Sequence, residues 1–172
     1  EYGLITAVIN TYAPALDCTV KLPQIEHNQH EISTPDVIYQ IVKDTPIELP
    51  ALLAMWLSLT ESEILGLTKS KSISSDGCYI TIKEVIVKDE HNNAVVKNKG
   101  KQPTRDRTLR LPEYLKQLID KIETDQLVTL SGTALSKRFN RLITKAGIPH
   151  MTFHDLRHVN ASVMAPTATS PP

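Results

Sequence analysis

Thr152-Phe153-His154-Asp155-Leu156-Arg157-His158 is the stretch on which the reading of this chain turns. It lies between a proline-marked loop, Ile148-Pro149-His150, and a run from Val159 to Ala165 with helical character. Positions three apart share a helix face, so His154 and Arg157 can point at one small anion. Histidine passes a proton near neutral pH, and arginine offers a planar fork of donors that fits a phosphate. Taken alone, two common residues at this spacing equally describe a solvated helix face. The residues upstream decide between the two.

Just before the stretch, Ser131-Gly132 opens a helix from Ala134 to Ala146 with Leu135, Phe139, Leu142 and Ile143 on its buried side, and Gly147 closes it. Leu127-Val-Thr-Leu130 reads as short and extended, and Pro112 ends a strand from Thr104 to Leu111 and starts a helix through Ile122. Tyr79 to Val87 is β-branched and alternating, hence a strand; Asp89 to Asn93 turns it into Ala94–Lys97. Further back, Thr34-Pro35-Asp36 starts a helix whose buried stripe is Val37, Ile38, Ile41 and Val42. Pro46 to Pro50 interrupts, Ala51 to Leu59 is an almost wholly apolar helix, and Glu61 to Leu67 a short one ending near Gly66. The expected fold is mainly α with a small three-stranded antiparallel sheet, an α+β domain over residues 34–165. Residues 1–13 read as the last helix of a preceding domain, 14–33 as a linker and 166–172 as a disordered tail, so the chain reads as a fragment.

The 172 residues contain 41% hydrophobic and 22% charged residues, ordinary for a water-soluble globular protein. No apolar run reaches the length of a membrane span, and no leader peptide is recognisable. Two cysteines, Cys18 and Cys78, without metal-ligand spacing argue against a zinc site or a disulfide framework, and point to a reducing, cytoplasmic setting. Nineteen basic residues balance nineteen acidic ones, yet Lys97, Lys99, Lys101, Arg105, Arg107 and Arg110 crowd one segment against Asp106 alone. Lys69 and Lys71 form a second small cluster. A neutral protein with one basic face can still hold a nucleic-acid backbone.

The linked order of four stretches resembles the catalytic domain of the tyrosine recombinases, the phage-integrase family. Ser33-Thr-Pro-Asp-Val is similar to its opening helix, and Ser58-Leu-Thr-Glu-Ser-Glu-Ile-Leu-Gly-Leu67 to its first-arginine box. Lys101-Gln-Pro-Thr-Arg-Asp-Arg-Thr-Leu-Arg-Leu-Pro112 is similar to the loop and strand bearing the catalytic lysine, and Thr152–His158 with Ala161-Ser162 to the His-x-x-Arg box. The resemblance implies strand exchange on double-stranded DNA without metal or cofactor, through a 3′-phosphotyrosine, by a homo-oligomer that is a tetramer on DNA in the full protein. It implies that Arg157 clamps non-bridging oxygens, that His154 assists proton transfer and that Lys101 protonates the leaving 5′-oxygen, with Lys99 or Lys97 as substitutes. Lys69, Lys71, Lys99, Arg105, Arg107 and His158 are the expected DNA contacts. Arg105 and Arg107 equally fit a solvated strand face, and His158 equally fits helix packing.

Two departures limit the resemblance. Thr60 stands where the first arginine is expected, replacing two charge-assisted hydrogen bonds by one neutral one, with Glu61 and Glu63 beside it. Either the site is degenerate there, or a neighbouring basic residue such as Lys69 compensates. The nucleophilic tyrosine is expected C-terminal to the box, but all five tyrosines (Tyr2, Tyr12, Tyr39, Tyr79 and Tyr114) precede it. The domain thus reads as C-terminally truncated and unable to cleave DNA in cis. Besides a fragment of an integrase, two alternatives are a DNA-binding module that does not cut and a protein-interaction fragment using apolar surface exposed by the truncation.

Overall fold

Helix α3 (Glu48–Leu57) is apolar on nearly every side, and in the computed structural model every residue from Glu48 to Met55 is buried. The structure describes residues 2–16, 33–91, 93–98 and 107–159. Pro50, expected to lie outside the helix, sits in its first turn, where a missing N–H leaves no bond unmade. Ser58, in the left-handed region at φ 53°, ends the helix.

Around α3 pack α2 (Pro35–Val42), α4 (Glu61–Leu65), α6 (Glu113–Asp120) and a 3-10 turn, Phe153–Asp155. Helix α7 (Gly132–Ala146) closes the core against α2, α4 and that turn, through Leu135, Phe139 and Ile143 at the four-residue spacing of one face. Ser131 caps its start and Gly147, at φ 67°, its end, as the sequence indicates. Helix α1 (Tyr2–Tyr12) leaves Leu4, Ile5, Val8 and Tyr12 exposed. Helix α5 (Lys69–Ser72) is a single turn that the sequence reading passed over.

The expected small antiparallel structure is present as two ladders, with four strands among the described residues. The 79–87 strand divides at Lys83 into β1 (Tyr79–Ile82) and β2 (Glu84–Lys88). β1 pairs with β4 (Arg107–Arg110) and β2 with β3 (Ala94–Asn98), giving two two-stranded ladders. α4 packs on β2 through Gly66, where an added Cβ would lie 2.4 Å from the Glu84 carbonyl oxygen. Residues 127–130 form no strand of their own; Gln126 makes an isolated bridge to Thr68. No helix among the described residues is long and apolar enough to cross a membrane. The linker (apart from its ends) and the tail lie outside the described residues.

Candidate functional site

The His-x-x-Arg stretch begins as a 3-10 turn, where a plain helix from Thr152 was expected, and runs on as α-helix over 156–159. The turn is held by a capping box of the Thr-x-x-Asp type, a signal already present in the sequence. The Thr152 N–H and hydroxyl both donate to Asp155 Oδ2, at 2.7 and 2.9 Å. Met151, Phe153, Leu156 and Val159 are buried and anchor the turn, with Phe153 edge-on to Phe139 of α7 at 5.7 Å between ring centroids. That anchoring leaves His154 and His158 exposed and Arg157 half-buried. The two imidazoles meet edge to face with centroids 5.6 Å apart. Partial burial would raise the Asp155 carboxyl, but its bonds from Thr152 and the nearby His158 and His154 hold it below the ordinary value. The box is therefore a rigid turn presenting two imidazoles and one guanidinium, with its single carboxylate tied back to its own backbone.

Thr60, at the position where the sequence comparison expects an arginine, caps a helix. Its hydroxyl is the N-cap of α4, accepting from the Glu63 N–H at 3.2 Å, while Glu63 Oε2 accepts from the Thr60 N–H at 2.8 Å. This second capping box is legible as Thr60-x-x-Glu63. The neighbouring acids are engaged as well. Glu63 is buried, and Glu61 Oε2 accepts from the Ser136 hydroxyl at 2.9 Å, its carboxylate lying over Gly132 at the N-terminus of the fifteen-residue helix α7. A negative charge there complements the helix dipole.

Lys69 is tied to the segment after α6. Its ammonium donates to the Ile122 carbonyl oxygen, and its N–H bonds to Asp125 O at 2.7 Å. Lys71 is exposed and paired with Glu84 at 2.7 Å. Arg107 is not on a solvated strand face. It pairs opposite Ile82, and cross-strand partners share a face, so it points with Ile80, Ile82 and Leu109 toward the core. Its Nη2 reaches the Leu57 and Ser58 carbonyl oxygens, each at 3.3 Å, and lies 4.0 Å from Glu63 Oε2. Parity along the strand, Arg107-Leu109-Leu111, carried that signal. Arg110 is exposed. Lys99, Lys101 and Arg105 lie outside the described residues.

Tyr114 is packed between Tyr39 and Trp56, with ring centroids 5.9 and 6.0 Å away. Its hydroxyl donates to the buried Glu48 carboxylate at 2.6 Å, and that bond, with Tyr39 nearby, raises its pKa well above the ordinary phenol value. A tyrosine so held is a poor nucleophile. A separate groove of about 690 Å³ runs between α4, the β2–β3 hairpin and the start of α7, lined by Leu65, Ile86 and Val128 among others.

No family model matches the sequence, and no curated protein matches it. Solved structures do. The chain is similar to the Tn1549 transposon integrase in complex with transposon right end DNA, at 15% identity and TM-score 0.69, over 99% of this chain and 65% of that one. It is similar to XerA recombinase at 19% identity and TM-score 0.59, over 98% of this chain and 62% of that one. The lambda integrase catalytic core matches at 18% identity and TM-score 0.51, over 78% of this chain and 82% of that one. The chain thus spans just under two thirds of the length of the integrase and recombinase structures that it matches almost end to end. The likeness is one of fold: a mainly helical α+β domain with small antiparallel ladders, the tyrosine-recombinase catalytic-domain fold.

Proposed function

We propose that this chain is the phosphate-holding part of a site-specific DNA recombinase of the tyrosine type, within a protein that breaks and rejoins DNA strands through a phosphotyrosine. The observation that carries this is the fold likeness to a DNA-bound integrase over 99% of the chain. It is joined to the box of exposed His154 and half-buried Arg157, on a turn anchored in the core. Attack at a DNA phosphodiester builds negative charge on the non-bridging oxygens, and donors fixed in advance around that charge lower the barrier. Arg157 supplies the fork for two of those oxygens. His154, exposed beside it, takes or gives the proton at the attacking or leaving oxygen. Lys101, on the basic segment after β3, protonates the departing 5′-oxygen, and Lys99, Arg105 and His158 contact the flanking backbone.

None of the five tyrosines follows His154, and Tyr114 is committed to Glu48. By itself this stretch therefore binds DNA and forms no covalent link; strand cleavage belongs to the whole protein. Residues 34–165 are the catalytic-type domain, and α1, with Leu4, Ile5 and Val8 exposed, is the end of a preceding domain. The protein acts in the cytoplasm as a homo-oligomer assembled on its DNA, without metal or cofactor.

The test is incubation with a nicked suicide duplex, reading binding by anisotropy and covalent adduct on a denaturing gel. Binding that weakens steeply with salt, without adduct, is expected. Absence of salt-sensitive binding would sink the DNA reading, and an adduct would overturn the assignment of the tyrosines. Replacing Lys99, Lys101 and Arg105 together by Glu should weaken binding; unchanged affinity would remove the basic segment from the interface.

A further inference from the structure

Arg107 stands out among the cations of the described residues, because its surroundings leave its donors incompletely used. A guanidinium has five N–H donors. Here Nη2 makes two long bonds, at 3.3 Å each, to the carbonyls that end α3, and its nearest carboxylate oxygen is 4.0 Å away. That oxygen, Glu63 Oε2, already accepts from the Thr60 N–H. Nε is buried and has no hydrogen-bond partner among the described residues, while 38% of the side chain is exposed. A buried donor left unpaired is costly, and the exposed part of the side chain is where an arriving anion would meet the guanidinium. The place matters too: Leu57, Ser58 and Glu63 bracket Thr60, the position where the first-arginine box lacks its arginine.

We infer that Arg107, reaching across from β4 to the α3–α4 junction, supplies the guanidinium that Thr60 does not, and binds an oxygen of a DNA phosphate there. This rests on the recombinase reading given above. The alternative is a purely structural role, the positive charge of Arg107 capping the C-terminal carbonyls of α3.

The two roles are separated by nitrogen-15 NMR of the arginine Nε–H groups in the full chain, titrated with a duplex of random sequence. If the inference holds, the Arg107 and Arg157 signals both shift and saturate at one duplex concentration. If Arg157 moves and Arg107 stays, Arg107 is only a cap and the inference is overturned. If neither moves, the recombinase pocket itself is refuted. A variant pair gives an independent readout. Arg107→Gln is expected to weaken duplex affinity at least about tenfold, the loss of a hydrogen bond to a charged group. Adding Thr60→Arg to it should recover most of that loss, although it removes the α4 cap. A structural role predicts the reverse, since the double variant would lose two caps and bind no better. Failure of the rescue in a folded double variant overturns the inference.

Discussion

At the scale of single residues, three polar side chains show how much polar chemistry is spent on holding the chain's own structure. Thr60 caps α4, so Thr60→Ala should cost about 1 kcal/mol in a urea melt, with little change in DNA affinity because its hydroxyl faces Glu63. Tyr114→Phe withdraws the donor from a buried carboxylate and should destabilise by about 1–3 kcal/mol. The raised pKa of Tyr114 fixes the sign of its pH dependence. Its contribution is complete below the ordinary phenol pKa of about 10 and fades as pH rises through the folded value, so the wild type should lose more stability than Tyr114→Phe in strong alkali. Asp155 behaves oppositely. Its lowered pKa gives a contribution present above about pH 4 and lost as pH falls through the folded value. An acid series of urea midpoints should therefore fall less steeply for Asp155→Asn than for the wild type. Thr60 and Arg107 were the residues hardest to interpret from sequence. Each belongs to a common pattern, a Thr-x-x-Glu box and a strand parity, and those patterns describe backbone contacts that the comparison of sequence boxes does not display.

Among elements, the close approach of α4 to β2 is the tightest constraint. Gly66→Ala places a methyl against the Glu84 carbonyl and Val85 Cα, backbone atoms that cannot step aside, and should cost about 1–3 kcal/mol or more. Gly132→Ala instead meets the Glu61 carboxylate, the end of a flexible side chain, and should cost less than Gly66→Ala in the same melts. The helix α7 was legible where a cap and a four-residue stripe coincided; in α2 the start at Pro35 was legible, but Thr34 makes no side-chain cap bond and Val37, expected in the buried stripe, is exposed. Pro50 was misleading because a proline in a first turn looks, in sequence, like one that ends a segment. The division at Lys83 was not legible. The residues on either side are β-branched and alternate, and only tertiary contacts, α4 on β2 and β4 on β1, assign the two halves to different partners.

For the molecule as a whole, the order of elements along the chain carried the fold class: the apolar α3 with α4, the β2–β3 hairpin and the His154–Arg157 turn stand in the order in which the sequence presents them. The turn that carries His154 and Arg157 is built from local signals and was largely legible, whereas the setting of Arg107, which arrives from a strand fifty residues beyond Leu57, was not. The central claim is that this assembled surface grips the DNA backbone through the His154–Arg157 box. The most direct measurement is duplex affinity of the wild type and Arg157→Ala across a salt series. A phosphate contact predicts weaker binding for the variant at low salt and a log–log salt slope shallower by about one. Identical affinities and identical slopes, in a variant that melts like the wild type, would contradict it.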